Sequence, residues 1–335
     1  MLHVFDKRQL AHTPALELHN GGWVAHVDQP ARAQAIADAV GAFAGARDFG
    51  RAPLARVHSA EYLEFLETAH ARWLAAGRTG DAIGYTWPIV ARRNVRLDRI
   101  DALLGRYSYD AATPISDGTW ASAYWGAQTA LTALEPLLDG SERTTFALGR
   151  PPGHHAGADY LGGYCYLNNA AIAARAATDR GLARVAILDI DYHHGNGTQD
   201  IFFEDPTVFY ASLHGDPATE YPFFWGHADE RGSGAGEGTT LNLPLPRGTT
   251  IVPYLAALDR ALDAIAKFGP GLLVVSFGAD TYEADPICHF KIATADYPTL
   301  ARRIAALAVP TLIVMEGGYA VDALRANVLG FLSGF

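Results

Sequence analysis

The stretch ILDIDYHHGNGTQ, which runs from Ile187 to Gln199, places two carboxylates and two imidazoles at the end of an apolar run. The apolar residues are typical of a buried strand, and Asp189 and Asp191 follow at the point where that strand would end. A buried carboxylate is costly unless it is paired with another charge or binds a metal. The stretch therefore predicts a buried strand whose carboxyl end carries a site with chemistry.

Four other short apolar runs predict further strands of one buried parallel sheet. The five predicted strands are Thr145–Leu148, Val185–Ile190, Val208–Ser212, Leu272–Phe277 and Thr311–Met315. The helical patterns between or beside them are Thr119–Leu137, Asn168–Asp179, Pro253–Lys267 and Tyr297–Ala306. This alternation of strands and helices is typical of an α/β fold.

A polar cluster follows each predicted strand. The clusters are RPPGHHAG (150–157), DIDYHHGNG (189–197), SLHGDP (212–217), SFGAD (276–280) and EGGY (316–319). In parallel sheets ligands bind beyond the carboxyl ends of the strands, so these clusters are predicted to converge on one rim. Five separate strand ends with polar clusters favour a functional site over a purely structural explanation.

The composition narrows the class of protein. The 335 residues are 49% hydrophobic, carry a formal net charge of −10 and include two cysteines, Cys165 and Cys288. The negative charge argues against a nucleic-acid partner, and the cysteines form no CxxC pair that would suggest a disulfide scaffold. The sequence has neither a recognisable signal peptide nor an apolar run long enough to span a membrane. We therefore expect a cytoplasmic protein without a membrane partner.

Two long segments are predicted to be ordered loops near the site. We predict a single domain over residues 1–335 with a loop insertion at about 81–118. Aromatic residues and arginine are enriched in interface cores, so we expect the insertion to contribute to a homodimer. The residues behind this expectation are Tyr85, Trp87, Pro88, Arg92, Arg93 and Tyr107. In the second segment, 216–238, four aromatics are expected to wall a pocket or an interface, namely Tyr221, Phe223, Phe224 and Trp225.

Three residues at the predicted rim form a candidate metal site. Asp191, His193 and Asp280 could hold one divalent metal and leave positions open, which is the mark of a catalytic rather than a structural site. An aspartate and a histidine two residues apart can also serve as hydrogen-bonded loop anchors. The polar residues at the other strand ends favour the metal site.

Adjacent histidines follow the rigid turn Pro151–Gly153 and each needs its own partner. Asp189 could hold one ring and Asn196 the other. A charged partner favours imidazolium, whereas a neutral amide leaves its histidine closer to neutral, so His154 and His155 could divide an electrostatic role and a proton-shuttle role. Tyr319 follows two glycines and could direct its hydroxyl at an oxyanion.

Six motifs, in this order along most of the chain, resemble those of a known superfamily. They are RPPGHHAG, GGYCYLNNAA, DIDYHHGNGTQD, SLHGDP, GADT and EGGY. The resemblance is to the zinc-dependent deacetylases, which include histone deacetylases and acetylpolyamine amidohydrolases, and is nearest to the bacterial acetylpolyamine amidohydrolases. It implies an arginase/deacetylase-like three-layer α/β fold, with a central parallel sheet of about eight strands and helices on both faces.

The resemblance also implies roles for residues at matching positions. The zinc ligands would be Asp191, His193 and Asp280. The catalytic group would be His155 with its partner Asn196, His154 with its partner Asp189, and Tyr319. A potassium ion would be held by Asp189, Ser212 and the backbone carbonyls of Asp191, His193 and Leu213. The acyl tunnel would be lined by Gly163, Tyr164, Tyr221 and Gly318.

The expected activity is zinc-dependent removal of acetyl or short acyl groups from acetylated polyamines or diamines. Three alternatives stay open: a deacetylase of acetyl-lysine in proteins or of another small amide, a non-catalytic acyl-amine-binding protein, and an arginase-like ureohydrolase. The last would need further carboxylates for a second metal.

The sequence does not fix the substrate. Asp101, Asp110 and Asp117 lie in the insertion and are candidates for reading a distal ammonium group, whereas Ala112 and Thr113 stand where a polyamine-selective relative would be expected to have a glutamate.

Overall fold

A computed structural model of the protein describes residues 1–88 and 95–335. Its strands are β1 (Leu2–Val4), β2 (Leu16–His19), β3 (Gly22–Ala25), β4 (Thr144–Ala147), β5 (Val185–Asp189), β6 (Val208–Gly215), β7 (Thr240–Leu245), β8 (Leu272–Phe277) and β9 (Thr311–Met315). β2 and β3 form a separate antiparallel hairpin. The other seven strands form one sheet in the order β1-β4-β9-β8-β5-β6-β7, and every neighbouring pair is parallel.

Helices connect most of these strands. Among the described residues the α-helices are α1 (Pro30–Val40), α2 (Ala60–Ala75), α3 (Ile100–Tyr107), α4 (Thr119–Leu138), α5 (Asn169–Asp179), α6 (Asn196–Phe202), α7 (Ile251–Phe268), α8 (Tyr297–Ala305) and α9 (Val321–Leu332). Short 3-10 helices lie at Lys7–Ala11, Leu54–Arg56, Gly234–Gly236 and Thr294–Asp296. The crossovers are long because parallel strands cannot be joined by a tight turn.

The sheet is buried on both faces. Successive residues of a strand point to opposite faces, so the neighbours along one strand report on both sides. In β5, Val185 and Ile187 pack in a core with residues of α2 to α5. Their neighbours Ala186 and Leu188 pack in a second core with residues of α1, α7, α8 and α9. All four side chains are fully buried. The result is a three-layer α/β architecture.

This architecture confirms the predicted fold class, although the sheet has seven strands among the described residues where the resemblance implied about eight. Each of the five predicted strands is present, with its start within one residue of the prediction. The short edge strand β1 and the opposite edge strand β7 were not predicted from the sequence.

The insertion at 81–118 is more regular than predicted. Part of it is not a loop but a helix, α3, which has no side-chain N-cap and contains Gly105, so the sequence carried little helical signal. Tyr107 is buried in the chain's own core against Phe65, which removes it from the candidate interface residues. Arg92 and Arg93 lie outside the described residues.

The parallel arrangement brings the carboxyl ends of β9, β8, β5 and β6 side by side at the centre of one sheet edge. This edge carries the polar clusters that follow these strands. Within residues 1–88 and 95–335, no helix combines the length and the apolar character needed to cross a membrane.

Candidate active site

Asp191, His193 and Asp280 meet beyond the neighbouring strands β5 and β8. The His193 Nδ1 atom lies 3.2 Å from Asp280 Oδ2 and 3.4 Å from Asp191 Oδ1. Ligand atoms on a tetrahedral zinc ion with bonds of about 2.0–2.1 Å lie roughly 3.3 Å apart. One nitrogen and two carboxylate oxygens at this spacing fit a zinc ion, with a coordination position left for a reactant.

The charges of this cluster also favour a cation. Both carboxylates are fully buried, and burial together with the facing charge of Asp191 raises the pKa of Asp280. A divalent ion would compensate both carboxylates and keep them deprotonated. The flanking glycines leave room for this close approach, because a Cβ atom at Gly278 would lie 2.1 Å from Asp191 Oδ2, and one at Gly317 2.5 Å from Asp280 Oδ2.

The adjacent histidines are held by different partners. His154 Nδ1 lies 3.0 Å from Asp189 Oδ2, and His155 Nδ1 lies 2.7 Å from Asn196 Oδ1. Burial opposes the charged form of His154, but Asp189 and Asp191 outweigh it and raise its pKa to about 10. Burial and the neighbouring His154 and His193 hold the pKa of His155 well below its ordinary value. These surroundings favour the charged form of the His154 ring and the neutral form of the His155 ring.

Tyr319 stands on a loop fixed from two sides. The Oδ2 atom of Asp285 accepts hydrogen bonds from the backbone nitrogens of Tyr319 at 2.6 Å and Ala320 at 3.1 Å. The guanidinium of Arg32 donates to the carbonyl oxygen of Gly318 at 2.5 Å and lies 4.5 Å from the Tyr319 ring centroid. The loop and the tyrosine ring are thus held by contacts within the chain itself.

Glu316 links this loop to the two histidines. Its Oε2 atom accepts hydrogen bonds from the backbone nitrogens of Gly153 at 2.6 Å and His154 at 3.2 Å. Its Oε1 atom accepts from the Ser276 hydroxyl at 2.8 Å. A single buried carboxylate therefore joins the ends of β4, β8 and β9.

Residues 26–335 match the histone deacetylase domain family. The chain belongs to this family. Acetylpolyamine amidohydrolase 1 of Pseudomonas aeruginosa is 48% identical over 345 residues, covering 100% of this chain and 99% of the relative. Acetylpolyamine amidohydrolase of Mycoplana ramosa is 46% identical over 338 residues, covering 99% and 98%. A crystal structure of acetylpolyamine aminohydrolase from Burkholderia pseudomallei has a TM-score of 0.95 at 42% identity, covering 100% of this chain and 98% of that one.

This histone deacetylase domain brings the predicted tunnel residues to the same site. The Tyr221 ring centroid lies 5.2 Å from that of His155, and the Tyr164 ring centroid lies 5.7 Å from that of Tyr319. Gly163 has a positive φ of 55°, and a Cβ atom there would lie 2.2 Å from His155 Cδ2. Only glycine therefore leaves the His155 ring in place at this position.

A cavity of about 660 Å³ opens on the outer side of Tyr221. The loop aromatics Tyr221, Phe223, Phe224 and Trp225 line it, as the pocket interpretation of segment 216–238 predicts. Of the three acidic candidates in the insertion, Asp110 also lines it. Asp101 instead pairs with Arg78 and Arg99, and Asp117 is fully exposed.

Of the predicted potassium ligands, Asp189 lies on β5, Ser212 and Leu213 lie on β6, and Asp191 and His193 follow β5. Asp189 and Ser212 are partners in the β5–β6 register and are both fully buried. The Asp189 carboxylate also accepts from the Tyr210 hydroxyl at 3.1 Å, and Ser212 Oγ lies 2.8 Å from His214 Nδ1. The next residue, Leu213, has no exposed side-chain surface. No ion is needed to explain these contacts, so the potassium site stays a prediction.

Several residues that shape the site could not be identified from the sequence. Arg32 and Asp285 carried no motif signal, because each acts through backbone atoms of a loop far away in sequence. Glu316 stands in the EGGY motif, so its position was visible although its contacts were not. His194, which had no firm role, is buried with its Nε2 atom 3.1 Å from Asn242 Oδ1, consistent with a structural residue.

Proposed function

We propose that the protein is a zinc-dependent amidohydrolase that removes acetyl or short acyl groups from acetylated polyamines or diamines. The observation that carries the proposal is the spacing of Asp191, His193 and Asp280, with the neutral base His155 beside them. Relatives named acetylpolyamine amidohydrolases, which match the chain from end to end, support the substrate class. The same geometry gives no reason to favour a binding protein without catalysis.

Zinc bound by the three ligands would polarise the acyl carbonyl and lower the pKa of an attacking water. His155 has its Nδ1–H directed at Asn196 Oδ1, so its Nε2 atom carries the lone pair that can accept the water proton. The same histidine then returns this proton to the leaving amine. His154, held as a cation by Asp189, stabilises negative charge that develops next to it.

The Tyr319 hydroxyl would donate a hydrogen bond to the oxyanion of the tetrahedral intermediate. Its loop is fixed by Asp285 and Arg32, so little reorganisation is needed when the charge develops. Preorganised donors of this kind contribute more in a buried site than they would in water. Tyr164 and Tyr221 would enclose the acyl-amide segment.

The cavity beside Tyr221 suits the cationic part of an amine substrate. Its lining includes the acidic residues Asp110 and Asp200 together with the aromatic residues Tyr109, Tyr160 and Trp225. Asp200 accepts from the Tyr160 hydroxyl at 2.6 Å and is exposed to solvent. Aromatic faces and carboxylates are the groups that bind ammonium ions.

The deciding experiment compares kcat/KM for acetylputrescine, acetylcadaverine, acetylspermidine and an acetyl-lysine peptide under identical conditions. The proposal expects the small acetylated amines to be the better substrates, and Asp280→Ala to lose both activity and bound zinc. The acetyl-lysine peptide as the best substrate would favour the protein deacetylase alternative. Full zinc content and full activity in Asp280→Ala would overturn the ligand assignment.

We also propose that the protein binds a potassium ion at Asp189 and Ser212, forms a homodimer and is located in the cytoplasm. Potassium would offset the buried charge of Asp189. A dimer would bring the exposed aromatic residues Tyr85 and Trp87 against a second subunit.

A further inference from the structure

A second group of potential metal ligands lies outside the active site. His12 follows the first 3-10 helix, His26 follows β3, and Asp28 precedes α1. Each side chain is at most 1% exposed. One nitrogen of each histidine and one oxygen of the aspartate all lie within 4.8 Å of one another.

The outer atoms of these three side chains have partners, and the facing atoms have none. His12 Nδ1 lies 2.9 Å from the Thr119 hydroxyl, and His26 Nδ1 lies 2.8 Å from Glu17 Oε2. Asp28 Oδ1 accepts from Arg32 and Arg150. Among the described residues, no hydrogen-bond partner exists for the atoms left over, which are His12 Nε2, His26 Nε2 and Asp28 Oδ2.

Three buried polar atoms that face one point without partners indicate that an ion or a small molecule binds between them, because an unsatisfied buried polar group is costly. This ion or molecule must accept electron pairs from at least two of the three atoms. Glu17 Oε2 accepts a hydrogen bond from the Nδ1–H of His26, so the neutral ring carries its lone pair on Nε2. Ion pairs with the Arg32 and Arg150 guanidinium groups stabilise the carboxylate form of Asp28, so its free oxygen is anionic.

We propose that His12, His26 and Asp28 form a second metal site for a late first-row divalent ion such as Zn²⁺, Ni²⁺ or Cu²⁺. Two imidazoles and one carboxylate suit these ions better than Mg²⁺ or Ca²⁺. The Glu17–His26 pair has the form of the carboxylate–histidine pairs that orient metal ligands. The ligands come from the N-terminal 28 residues and share none with the cluster at the sheet edge.

This site binds its ion more weakly than the sheet-edge cluster. The charges of Arg32 and Arg150 offset those of Asp28 and Glu17, so the pocket offers a divalent ion no net negative charge. Its ligands are also farther apart, with 4.0 Å between His12 Nε2 and Asp28 Oδ2, against 3.2 and 3.4 Å at the sheet-edge cluster. The second site therefore fills after the first as free metal rises.

The test measures bound zinc per chain by mass spectrometry after the full-length protein is equilibrated with buffered zinc at graded free concentrations. The wild type should bind two equivalents in two separate steps. His26→Gln should lose only the weaker step, and Asp280→Ala only the tighter one. A control variant, His58→Gln, removes another buried histidine whose two ring nitrogens are both hydrogen-bonded, and should keep both steps.

A single equivalent in the wild type would overturn the proposal and would mean that an ordered water joins the three atoms. Retention of the weaker step in His26→Gln would overturn it too. If the variant does not fold, anomalous diffraction is measured at the zinc edge from zinc-equilibrated wild-type crystals. A peak between His12, His26 and Asp28 would support the site, and the absence of a peak there would overturn it. The loss of the tighter step in Asp280→Ala reports separately on the proposed active site.

Discussion

The hydroxyl of Tyr319 can be removed with little change to its surroundings, because the loop is held by backbone contacts from Asp285 and Arg32. We predict that Tyr319→Phe lowers kcat by about 10²–10³ while KM changes little, as expected for a donor that acts in the transition state. Steady-state kinetics on an acetylated diamine measures both constants.

The matched control is Tyr124→Phe, which removes a hydroxyl bonded to Asp48 outside the site and should leave both constants unchanged. A Tyr319→Phe variant that altered only KM would contradict the oxyanion role.

At the same scale, the residues whose proximity the sequence alone could predict are those that follow strands. Asp191, His193 and Asp280 could be placed together because parallel strand ends share one sheet edge. Arg32 could not be placed, since its contact with Gly318 spans 286 residues and involves a backbone carbonyl. Side chains that act on backbone atoms leave no residue-type signal at the position they contact.

Among the elements, the loop from Glu316 to Tyr319 depends on Asp285. Removing this carboxylate leaves two backbone nitrogens without their hydrogen-bond acceptor. We therefore predict that Asp285→Ala lowers kcat by about 10- to 100-fold and changes KM less. Zinc content should stay at the wild-type level, because Asp285 contacts the loop rather than the proposed ligands.

Asp285→Asn serves as the comparison, since its amide oxygen can still accept from the loop and should restore part of the activity. Equal losses in the alanine and asparagine variants would show that charge, rather than loop position, matters.

A buried histidine, His58, lies two residues before α2 and makes contacts that require a neutral ring. His58 Nδ1 donates to the Gly157 carbonyl at 2.9 Å, and its Nε2 accepts from the Asn168 backbone nitrogen at 3.0 Å. Burial lowers the pKa of His58 from 6.5 to about 4. Below pH 6.5 the unfolded chain therefore binds a proton that the folded chain excludes, and stability is lost as the pH falls towards 4.

At roughly 1.4 kcal/mol per pKa unit, this loss is about 3 kcal/mol. We predict that the difference in unfolding free energy between the wild type and His58→Gln narrows by about this amount from pH 7 to pH 4. Urea unfolding at several pH values measures it. A difference that is constant across this range would contradict the neutral-histidine assignment.

The elements that the sequence missed have physical explanations. β7 contains Pro244 and lies at the sheet edge, so it lacks the continuous apolar run of the central strands. α3 is eight residues long with Gly105 near its end, and it is stabilised by packing of Ile100 and Leu104 in the core rather than by propensity. Long-range packing, rather than local sequence, therefore determines that β7 forms a strand and α3 a helix.

For the whole molecule, the N-terminal segment is part of the site's support although the family match begins at residue 26. Glu17 accepts from the Tyr164 hydroxyl at 3.0 Å and also holds His26. Arg150, which begins the histidine turn, donates to the backbone carbonyls of Gln9 and His12. Gln9, His12 and Glu17 therefore contact Arg150 and Tyr164, so we expect that truncating the first 25 residues would disturb the positions of both.

Assembly is the remaining property at this scale. Tyr85 is 69% exposed and Trp87 is 36% exposed, and Trp87 lines the cavity beside Tyr221. The exposed ring of Phe224 lines the same cavity. Exposed aromatic clusters of this kind are typical of protein interfaces. Deleting the insertion would not test its role in assembly cleanly, because α3 contributes to the core of its own chain.

We therefore predict that the wild type is a homodimer by light scattering and that a Tyr85→Ser, Trp87→Ser double variant shifts towards the monomer. Because the partner would narrow the cavity entrance, the monomer should accept acetyl-lysine peptides better relative to acetylcadaverine. The control is Trp23→Ser, which removes a 61% exposed aromatic on the β2–β3 hairpin and should leave the mass unchanged. A wild type that is monomeric at assay concentration would refute the interface, and an unchanged substrate ratio in the monomeric variant would refute its role in selectivity.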